Sequence, residues 1–205
     1  MNKYKLFSNS VLNTLTSTDS IFVIRIYLVI STGICTYGFI KMPSGVLWNL
    51  FYLIMGLLLF TLIEYVMHRF LYHSGEDYMD DKNWQYKIHG VHHNYPKDKD
   101  ILAMPLPMAL LLSSVFFVLF YFTVGNYVYF FFPGFLLGYT SYLFIHYKIH
   151  TRKPPNNIFK FLWIHHHRHH HLHDDKAFGV SSPLWDFIFN TMPSKKRQTS
   201  KNTNN

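Results

Sequence analysis

Four apolar runs divide the chain and limit the folds that are open to it. They cover residues 21–40, 46–63, 108–124 and 127–145. A helix needs roughly 20 apolar residues to cross a bilayer core of about 30 Å, and the third run reaches that length when Leu106 extends it. Four such helices leave almost no amphipathic face for water, which argues against a soluble helical protein. The runs therefore predict an all-α integral membrane bundle of about four transmembrane helices.

The positions of the charges predict how this bundle is oriented. The formal net charge is +8, and the basic residues gather before the first run, between the second and third, and after the fourth. Lys41 alone lies in the first hairpin. The positive-inside rule then places both termini and the central loop in the cytoplasm, at a bacterial inner membrane or the endoplasmic reticulum of a eukaryote. The basic charge thus reflects topology and anionic headgroups, and gives no reason to expect nucleic acid as a partner.

Three segments are expected along the chain. Residues 1–20 form a short cytoplasmic segment, and residues 21–193 form one helical domain. Residues 194–205 form a polar tail that we expect to be disordered. The single cysteine, Cys35, excludes a disulfide within the chain and a cysteine-based metal site.

Fourteen histidines are the most unusual feature of the composition. All of them lie on the predicted cytoplasmic side or at its boundary, so they form a histidine-rich helical cap on the bundle. They fall into four boxes, which are HRFLYH at 68–73, HGVHH at 89–93, HYKIH at 146–150 and HHHRHHHLH at 165–173.

The spacing within the boxes indicates which side chains share a face. Residues three or four apart on a helix are neighbours. His146 and His150 should therefore project together, while His89, His92 and His93 should form one triangular cluster. A second copy of the H-x-x-H-H pattern lies in the last box.

His68 and His73 do not fit this pattern, because they are five residues apart. On an ideal α-helix that spacing separates them by roughly 140°. They converge only if the helix ends or distorts between them. We expect them to hold different metal ions, or to approach one ion from two sides.

The number of histidines indicates two metal ions. About ten imidazoles exceed what one ion uses, since imidazole sites for iron, zinc, copper or nickel take roughly four to six ligands. Ligands that are almost all neutral leave the charge of the metals uncompensated and favour bound hydroxide or activated oxygen. That suits oxidation better than structural zinc, which is closed by four ligands that often include cysteine.

Further motifs accompany the four boxes in order. Glu64-Tyr65 precedes the first box, Pro96 and Asp98 follow the second, Gly138-Tyr139 precedes the third, and FGVS at 178–181 and LWD at 184–186 follow the last. From about residue 60 to 193 this arrangement resembles the fatty acid hydroxylase superfamily, a group of membrane di-iron oxygenases that includes sterol desaturases. The closest resemblance is to its fatty acid 2-hydroxylase branch.

The resemblance implies two bound metal ions, iron in the active enzyme, with zinc able to take its place in purified protein. No catalytic residue beyond the ligands is implied. The last box allows two registers, His166/His169/His170 and His167/His170/His171, and the distance to Phe178-Gly179 favours the first. His165, His167, His171 and His173 then become candidates for contact with the ligands or the substrate. The implied ligands are His68, His73, His89, His92, His93, His146, His150, His166, His169 and His170.

The resemblance also implies a reaction, the O2-dependent hydroxylation of the carbon next to an acyl carbonyl in a free or sphingolipid-linked fatty acid. Relatives that hydroxylate sphingolipid acyl chains often carry an N-terminal cytochrome b5 domain. Here only about 20 residues precede the first apolar run. We therefore expect a separate electron donor, cytochrome b5-like or ferredoxin-like, together with a lipid substrate in the membrane.

A metal-ligating histidine usually donates its other ring N–H to a carboxylate or a carbonyl. Glu64 stands four residues before His68 and should share its face. The carboxylate candidates for this role are Glu64, Asp98, Asp100, Asp174 and Asp175.

Two alternatives remain open from the sequence. One is a sterol or carotenoid hydroxylase or a desaturase of the same superfamily, because the boxes do not separate these chemistries. The other is a membrane metal-binding or transport protein. Transporters place ionisable ligands near the bilayer midplane, whereas these histidines lie beyond the ends of the second and fourth runs.

Overall fold

The computed structural model describes residues 18–42, 44–75 and 77–194, so the predicted tail lies almost wholly outside the described residues. Every regular element in these ranges is helical. Four helices are long, namely α1 (Ser20–Lys41), α2 (Val46–Val66), α4 (Leu106–Val124) and α5 (Val128–Thr151), and three are shorter, namely α3 (Val91–Asn94), α6 (Lys160–His171) and α7 (Leu184–Ile188). Two π-helical segments, Met67–Tyr72 and Tyr86–Gly90, and two 3-10 turns, Lys99–Ile101 and Gly125–Tyr127, complete the set.

Three helical stretches in the described part of the chain are long and apolar enough to cross a membrane. They are Ser20–Lys41, Val46–Tyr72 and Lys99–Thr151. The third is 53 residues long and contains both α4 and α5. Large apolar side chains lie exposed along α1, α2 and α4, as expected where the surrounding medium is lipid.

Helices α4 and α5 form an antiparallel hairpin. The ring of Phe116 lies 5.1 Å from that of Phe135, and the ring of Phe120 lies 5.0 Å from that of Phe131. Because numbers rise along one helix as they fall along the other, the two helices run in opposite directions. The turn between them begins at Gly125, whose φ of +58° suits glycine.

Helix α5 is the centre of the bundle and packs against α1, α2 and α4. Its contact with α2 is closest because both helices present glycine there. A Cβ on Gly56 would lie 1.9 Å from the carbonyl oxygen of Phe131, and a Cβ on Gly134 would lie 1.9 Å from that of Leu53. Small residues let helix backbones approach in this way inside membranes. The close contact fixes the histidine-bearing ends of α2 and α5 side by side.

The remaining elements cover that end of the bundle. The first π-helical segment continues α2. Helix α3 lies between α2 and α4 in the chain, and α6 follows α5. Helix α7 packs back against α2. The start of α1 belongs to the same end, because the Thr18 N–H donates to the carbonyl of Asp100 at 2.9 Å. All four histidine boxes therefore meet at one end of the apolar helices.

Candidate metal centre

The ten predicted ligands come together as two groups of five. Within each group the possible ligand atoms all lie within 4.8 Å of one another. The first group contains His68, His73, His89, His93 and His169, and the second contains His92, His146, His150, His166 and His170. In the last box, the three histidines that reach the groups are those of the favoured register, whereas His167 and His171 are exposed.

The two groups are built in the same way. Each takes a pair from the end of a long helix, a pair four residues apart from one H-x-x-H-H pattern, and the middle histidine of the other pattern. The first group thus receives His169 from the last box, and the second receives His92 from the HGVHH box. The two patterns exchange their middle histidines, which ties the two groups together.

His68 and His73 lie in the same group because the helix changes its winding between them. The His73 N–H donates to the carbonyl of His68 at 3.3 Å, which is the i→i+5 hydrogen bond of a π-helix. The wider turn brings residues five apart nearly into line. Both side chains belong to one group, so the expectation that they hold different metal ions was wrong. The alternative expectation, a distorted helix from which the two side chains approach one position, fits this geometry.

The expected triangular cluster of His89, His92 and His93 was wrong. His89 and His93 stay together, with their Nε2 atoms 3.0 Å apart, but the Nε2 of His92 lies 3.0 Å from that of His146 in the other group. Successive residues on a helix point about 100° apart. Neighbouring histidines therefore serve opposite groups, and only the outer pair of the pattern shares one.

The spacing of the nitrogens fits a metal ion in each group. The closest Nε2 atoms are 2.8–3.2 Å apart. Imidazole nitrogens about 2.1 Å from a shared ion lie about 3.0 Å apart at right angles and about 3.4 Å apart in a tetrahedron. The observed spacing is therefore short enough for the five nitrogens of each group to bind one shared ion.

Three ligand candidates that lie outside the membrane-length stretches, His73, His93 and His169, are held neutral. Burial lowers the pKa of His73 to about 3 and the pKa of His93 to about 2, and the nearby His169 adds to both shifts. Burial likewise lowers the pKa of His169 to about 4. A neutral imidazole is the form that binds a metal, so these side chains are ready for a metal ion at neutral pH.

Two ligand candidates are oriented by backbone carbonyls. The Nδ1 of His68 donates to Phe178 at 2.5 Å, and the Nδ1 of His169 donates to Lys176 at 2.7 Å. A carbonyl oxygen only accepts, so each Nδ1 carries the hydrogen and each Nε2 keeps its lone pair. The backbone of residues 176–178 therefore fixes the tautomer of His68, which follows α2, and that of His169 in α6.

Glu64 holds this loop instead of contacting an imidazole directly. Its Oε1 accepts from the N–H of Val180 at 2.6 Å and from that of Ser181 at 2.9 Å, and its Oε2 accepts from the Ser181 hydroxyl. The prediction that Glu64 accepts from a ligand histidine was wrong. The carboxylate acts one step further away, by anchoring the segment whose Phe178 carbonyl contacts His68.

Asp186 anchors the same loop from the other side and was missed as a site residue, although it belongs to the LWD motif. Its carboxylate is 0% exposed. It accepts from His165 at 3.0 Å, Phe178 N–H at 2.9 Å, Gly179 N–H at 2.8 Å and the Thr191 hydroxyl at 2.7 Å. Burial alone would raise the pKa of Asp186, but these hydrogen bonds outweigh it and lower the pKa.

The other carboxylate candidates have local roles. Asp174 accepts from the Tyr78 hydroxyl at 2.7 Å, and Asp98 caps a short turn by accepting from the Asp100 N–H at 3.0 Å. Asp175 is exposed. Backbone carbonyls of the loop, and not these carboxylates, accept the ring N–H of the ligand candidates His68 and His169.

Two cavities meet beneath the histidines. The first, which we term the inner cavity, has a volume of about 220 Å³ and lies among α2, α4 and α5, with His68 and His89 in its wall. The second, the entrance cavity, has a volume of about 450 Å³ and reaches Trp84 and Lys87 as well as His92. Both are lined by Tyr72, His89, Met104, Tyr139 and Tyr142. The junction of the two cavities therefore lies against His89 of the first group, and the entrance cavity also reaches His92 and His146 of the second group.

Comparison with known proteins places this arrangement in a family. A sequence model described as fatty acid hydroxylase matches residues 53–191. The ceramide very long chain fatty acid hydroxylase of Schizosaccharomyces pombe is 34% identical over 162 residues, covering 76% of this chain and 47% of that protein. The dihydroceramide fatty acyl 2-hydroxylase FAH1 of Arabidopsis thaliana is 34% identical over 144 residues, covering 70% of this chain and 61% of that protein.

A solved structure gives the same result at the level of the fold. The structure described as full length scs7p, with only the hydroxylase domain visible, superposes with a TM-score of 0.81 at 30% identity. The match covers 92% of this chain and 71% of the other. The chain spans about half the length of the curated relatives it matches. It belongs to the fatty acid hydroxylase family.

Proposed function

We propose that the protein is a di-iron, O2-dependent hydroxylase that acts on position 2 of a lipid acyl chain, either free or linked to a sphingolipid. The observation that carries the proposal is the placement of two five-histidine groups along two cavities that meet, with the first group at their junction and the second group beside the entrance cavity. Relatives named as a ceramide very long chain fatty acid hydroxylase and a dihydroceramide fatty acyl 2-hydroxylase support the same reaction.

The cavities give the lipid an orientation. The inner cavity is walled by apolar side chains of the membrane-length helices and suits an acyl chain. The entrance cavity opens among Trp84, Lys87 and Ile88, a mixture of aromatic and basic side chains that suits a headgroup at the membrane surface. A carbonyl at the junction then puts the neighbouring carbon beneath the histidines.

Iron fits the reaction better than zinc, which has no redox chemistry. Bound iron would supply the oxidising centre, with one atom of O2 entering the C–H bond and the other leaving as water after two electrons and two protons arrive. The protein brings ten imidazoles together in two groups and orients His68 and His169 through backbone carbonyls. Tyr139 and Tyr142 line the junction of the two cavities. The electrons come from a separate donor of the cytochrome b5 or ferredoxin type.

We further propose that α1, α2, α4 and α5 each span the membrane and that the histidines face the cytoplasm. The support is the hairpin of α4 and α5, together with the distribution of charge. Lys82, Lys87 and Lys99 lie at the histidine end of the bundle, whereas Lys41 stands alone at the opposite end. In this arrangement residues 21–193 form one hydroxylase domain.

Lipid mass spectrometry of a host with and without the protein tests the function. We expect 2-hydroxy acyl lipids to rise with the intact protein and with the exposed-site control His167→Ala, and to stay at background with His92→Ala. A new double bond, or a hydroxyl on a sterol or carotenoid, would replace this function with one of the related chemistries. An absence of any oxidised product with iron-loaded protein and a donor would contradict the proposal.

A further inference from the structure

A short helix beside the histidine site exposes a set of apolar side chains. Helix α7 and the residues directly after it carry five large apolar side chains that are between 40% and 77% exposed. We term this patch the apolar edge, and it consists of Leu184, Phe187, Ile188, Phe189 and Met192. An exposed apolar patch of this kind marks a surface that binds a protein or a membrane.

Two contacts fix the height of the apolar edge along α2. The Nε1 of Trp185 donates to the Thr61 hydroxyl at 3.0 Å, and the ring of Phe189 stacks on that of Tyr65 with centroids 5.3 Å apart. Thr61 belongs to the apolar run 46–63 and precedes His68 by seven residues, which is about 10 Å at the rise of an α-helix. The apolar edge therefore lies at the level where the apolar run of α2 ends.

The exposed side of α2 leads directly to this edge. Ile54 and Leu58 are exposed side chains of α2. Leu58 stands three residues before Thr61 and so shares its side of the helix. Because Thr61 binds Trp185, lipid that covers Leu58 also reaches α7. The apolar edge thus continues the surface that α2 presents to lipid.

The charges around the apolar edge fit the surface of a bilayer. Residues 177–194 contain one charged side chain, the buried Asp186. The residues that follow in the sequence are basic, namely Lys195, Lys196 and Arg197. Aromatic and aliphatic side chains followed by basic ones are typical of segments that insert at the boundary of acyl chains and anionic headgroups. A second copy of the chain is a poorer partner, since lipid tails are as apolar as the edge and burial against protein gains little there.

Helix α7 also carries a residue that supports the histidine site. Asp186 lies on its buried side and accepts from the N–H groups of Phe178 and Gly179 at 2.9 and 2.8 Å. The carbonyl of Phe178 in turn accepts from the Nδ1 of His68. A displacement of α7 therefore moves the acceptor that holds the loop, and the loop orients the imidazole.

We propose that the apolar edge is inserted in the bilayer surface at the histidine end of the bundle, and that the bilayer thereby holds Asp186 against the loop that orients His68. The inference rests on the proposed membrane-spanning role of α2, and it adds a contact between the histidine-rich cap and lipid. Inserted segments of this kind lie about 5–10 Å deep at the boundary of headgroups and acyl chains.

Depth-dependent quenching of a fluorophore tests the insertion. In a Cys35→Ala background, which removes the single native thiol, one cysteine is introduced by Phe187→Cys on the apolar edge, Ile54→Cys in the middle of the α2 run, or Asp175→Cys on the exposed surface of the cap. The full chain is labelled with bimane and placed in nanodiscs of phosphatidylcholine and phosphatidylglycerol. A nitroxide quencher is attached to the lipid acyl chains, either near the glycerol or near the methyl end.

We expect the shallow nitroxide to remove most of the fluorescence of Phe187→Cys, the deep nitroxide to act most on Ile54→Cys, and neither to affect Asp175→Cys. If Ile54→Cys is quenched but Phe187→Cys is not, the inference is wrong and the membrane-spanning role of α2 stands. A second copy of the chain that covers the edge would give this same result. If Ile54→Cys is not quenched either, the proposed span fails and the inference falls with it.

Hydrogen–deuterium exchange in the same nanodiscs tests the link to the histidine site. Phe187→Glu places a charge among the acyl chains, whereas Phe187→Leu keeps an apolar side chain and is the matched control. We expect the N–H groups of Phe178 and Gly179 to exchange faster in Phe187→Glu, because release of α7 opens their hydrogen bonds to Asp186. Phe187→Leu should exchange like the unaltered protein, and unchanged exchange along α5 shows that both variants are folded. Equal exchange of these two groups in Phe187→Glu and Phe187→Leu would overturn the proposal that the bilayer holds Asp186.

Discussion

The Nδ1 of His68 and the carbonyl oxygen of Phe178 lie 2.5 Å apart, although the two residues are 110 positions apart in the chain. This contact fixes the tautomer of a ligand candidate at the end of α2 by means of a loop near the end of the described chain. Two buried carboxylates, Glu64 and Asp186, hold that loop through its backbone N–H groups. The first group of histidines therefore depends on long-range contacts that involve no ligand.

Replacing Glu64 should weaken metal binding at the first group. Glu64→Ala leaves the N–H groups of Val180 and Ser181 without their acceptor and frees the loop that orients His68. Loss of such an outer contact typically reduces metal affinity by about 10- to 100-fold. We expect the iron content of purified protein to fall from two ions towards one, measured by plasma mass spectrometry.

Glu64→Gln is the matched control for this prediction. Its amide oxygen still accepts from both N–H groups, and its amide nitrogen donates to the Ser181 hydroxyl in reversed polarity. Iron content should then stay near that of the unaltered protein. Equal iron content in Glu64→Ala would show that the loop does not orient His68.

Asp186 should matter most for stability. Asp186→Ala removes an acceptor that is 0% exposed and strands the four groups that donate to it. Unpaired buried donors cost about 1–3 kcal/mol each, so we expect a loss of at least about 3 kcal/mol, seen as a lower melting temperature in detergent. Asp186→Asn keeps part of the network, so its melting temperature should lie between those of the unaltered protein and Asp186→Ala. A melting temperature unchanged in Asp186→Ala would contradict the network.

The same carboxylate predicts a pH dependence. Its hydrogen bonds lower the pKa of folded Asp186 below the ordinary value of 3.8. A carboxylate with a lowered folded pKa stabilises the fold fully above its unfolded pKa and loses that contribution as the pH falls through the folded value. The free energy of unfolding, measured from pH 7 down to pH 3, should therefore fall at the acidic end in the unaltered protein. Asp186→Asn should not show this fall.

Neighbouring histidines should affect different ions. His92 belongs to the second group and His93 to the first, so His92→Ala and His93→Ala should each lower iron content by about one ion, and the double variant by both. His166→Ala should behave like His92→Ala. His167→Ala should change nothing, since its exposed ring belongs to neither group and contacts only residues of its own helix, namely the Trp163 carbonyl and the His171 ring. Equal losses in His166→Ala and His167→Ala would contradict the register of the last box.

The gathering of ten histidines at one end of the bundle could be predicted from the four boxes and the family resemblance, because the boxes lie at or beyond the ends of the long apolar runs. The assignment of His92 and His93 to different groups could not be predicted. Spacings of three and of four residues both place side chains on one helix face, and the sequence does not show that the middle histidine belongs to a second group. The shared position of His68 and His73 depends on a π-helical turn, for which the HRFLYH letters give no signal.

The supporting residues were harder to predict for a different reason. Glu64 was correctly expected near His68, because four residues make one helical turn. Its partners lie 116 and 117 positions away, and a single sequence carries no information about such pairings. Asp186 looked like an ordinary acidic residue near a short helix, and only the fold shows four donors directed at it.

The close contact of α2 and α5 gives the last prediction. Gly134→Ala would place a Cβ 1.9 Å from the backbone oxygen of Leu53, and backbone atoms of packed helices have nowhere to move. The helices would have to separate, at a cost of about 1–3 kcal/mol or more. Their ends carry the His68–His73 and His146–His150 pairs, so separation widens the distance between the two groups. We expect lower iron content together with a lower melting temperature, whereas Gly33→Ala on α1, where a Cβ meets nothing within 4 Å, should alter neither. A Gly134→Ala protein that melts earlier but binds a full complement of iron would mean that the cap holds its geometry independently of the helices beneath it.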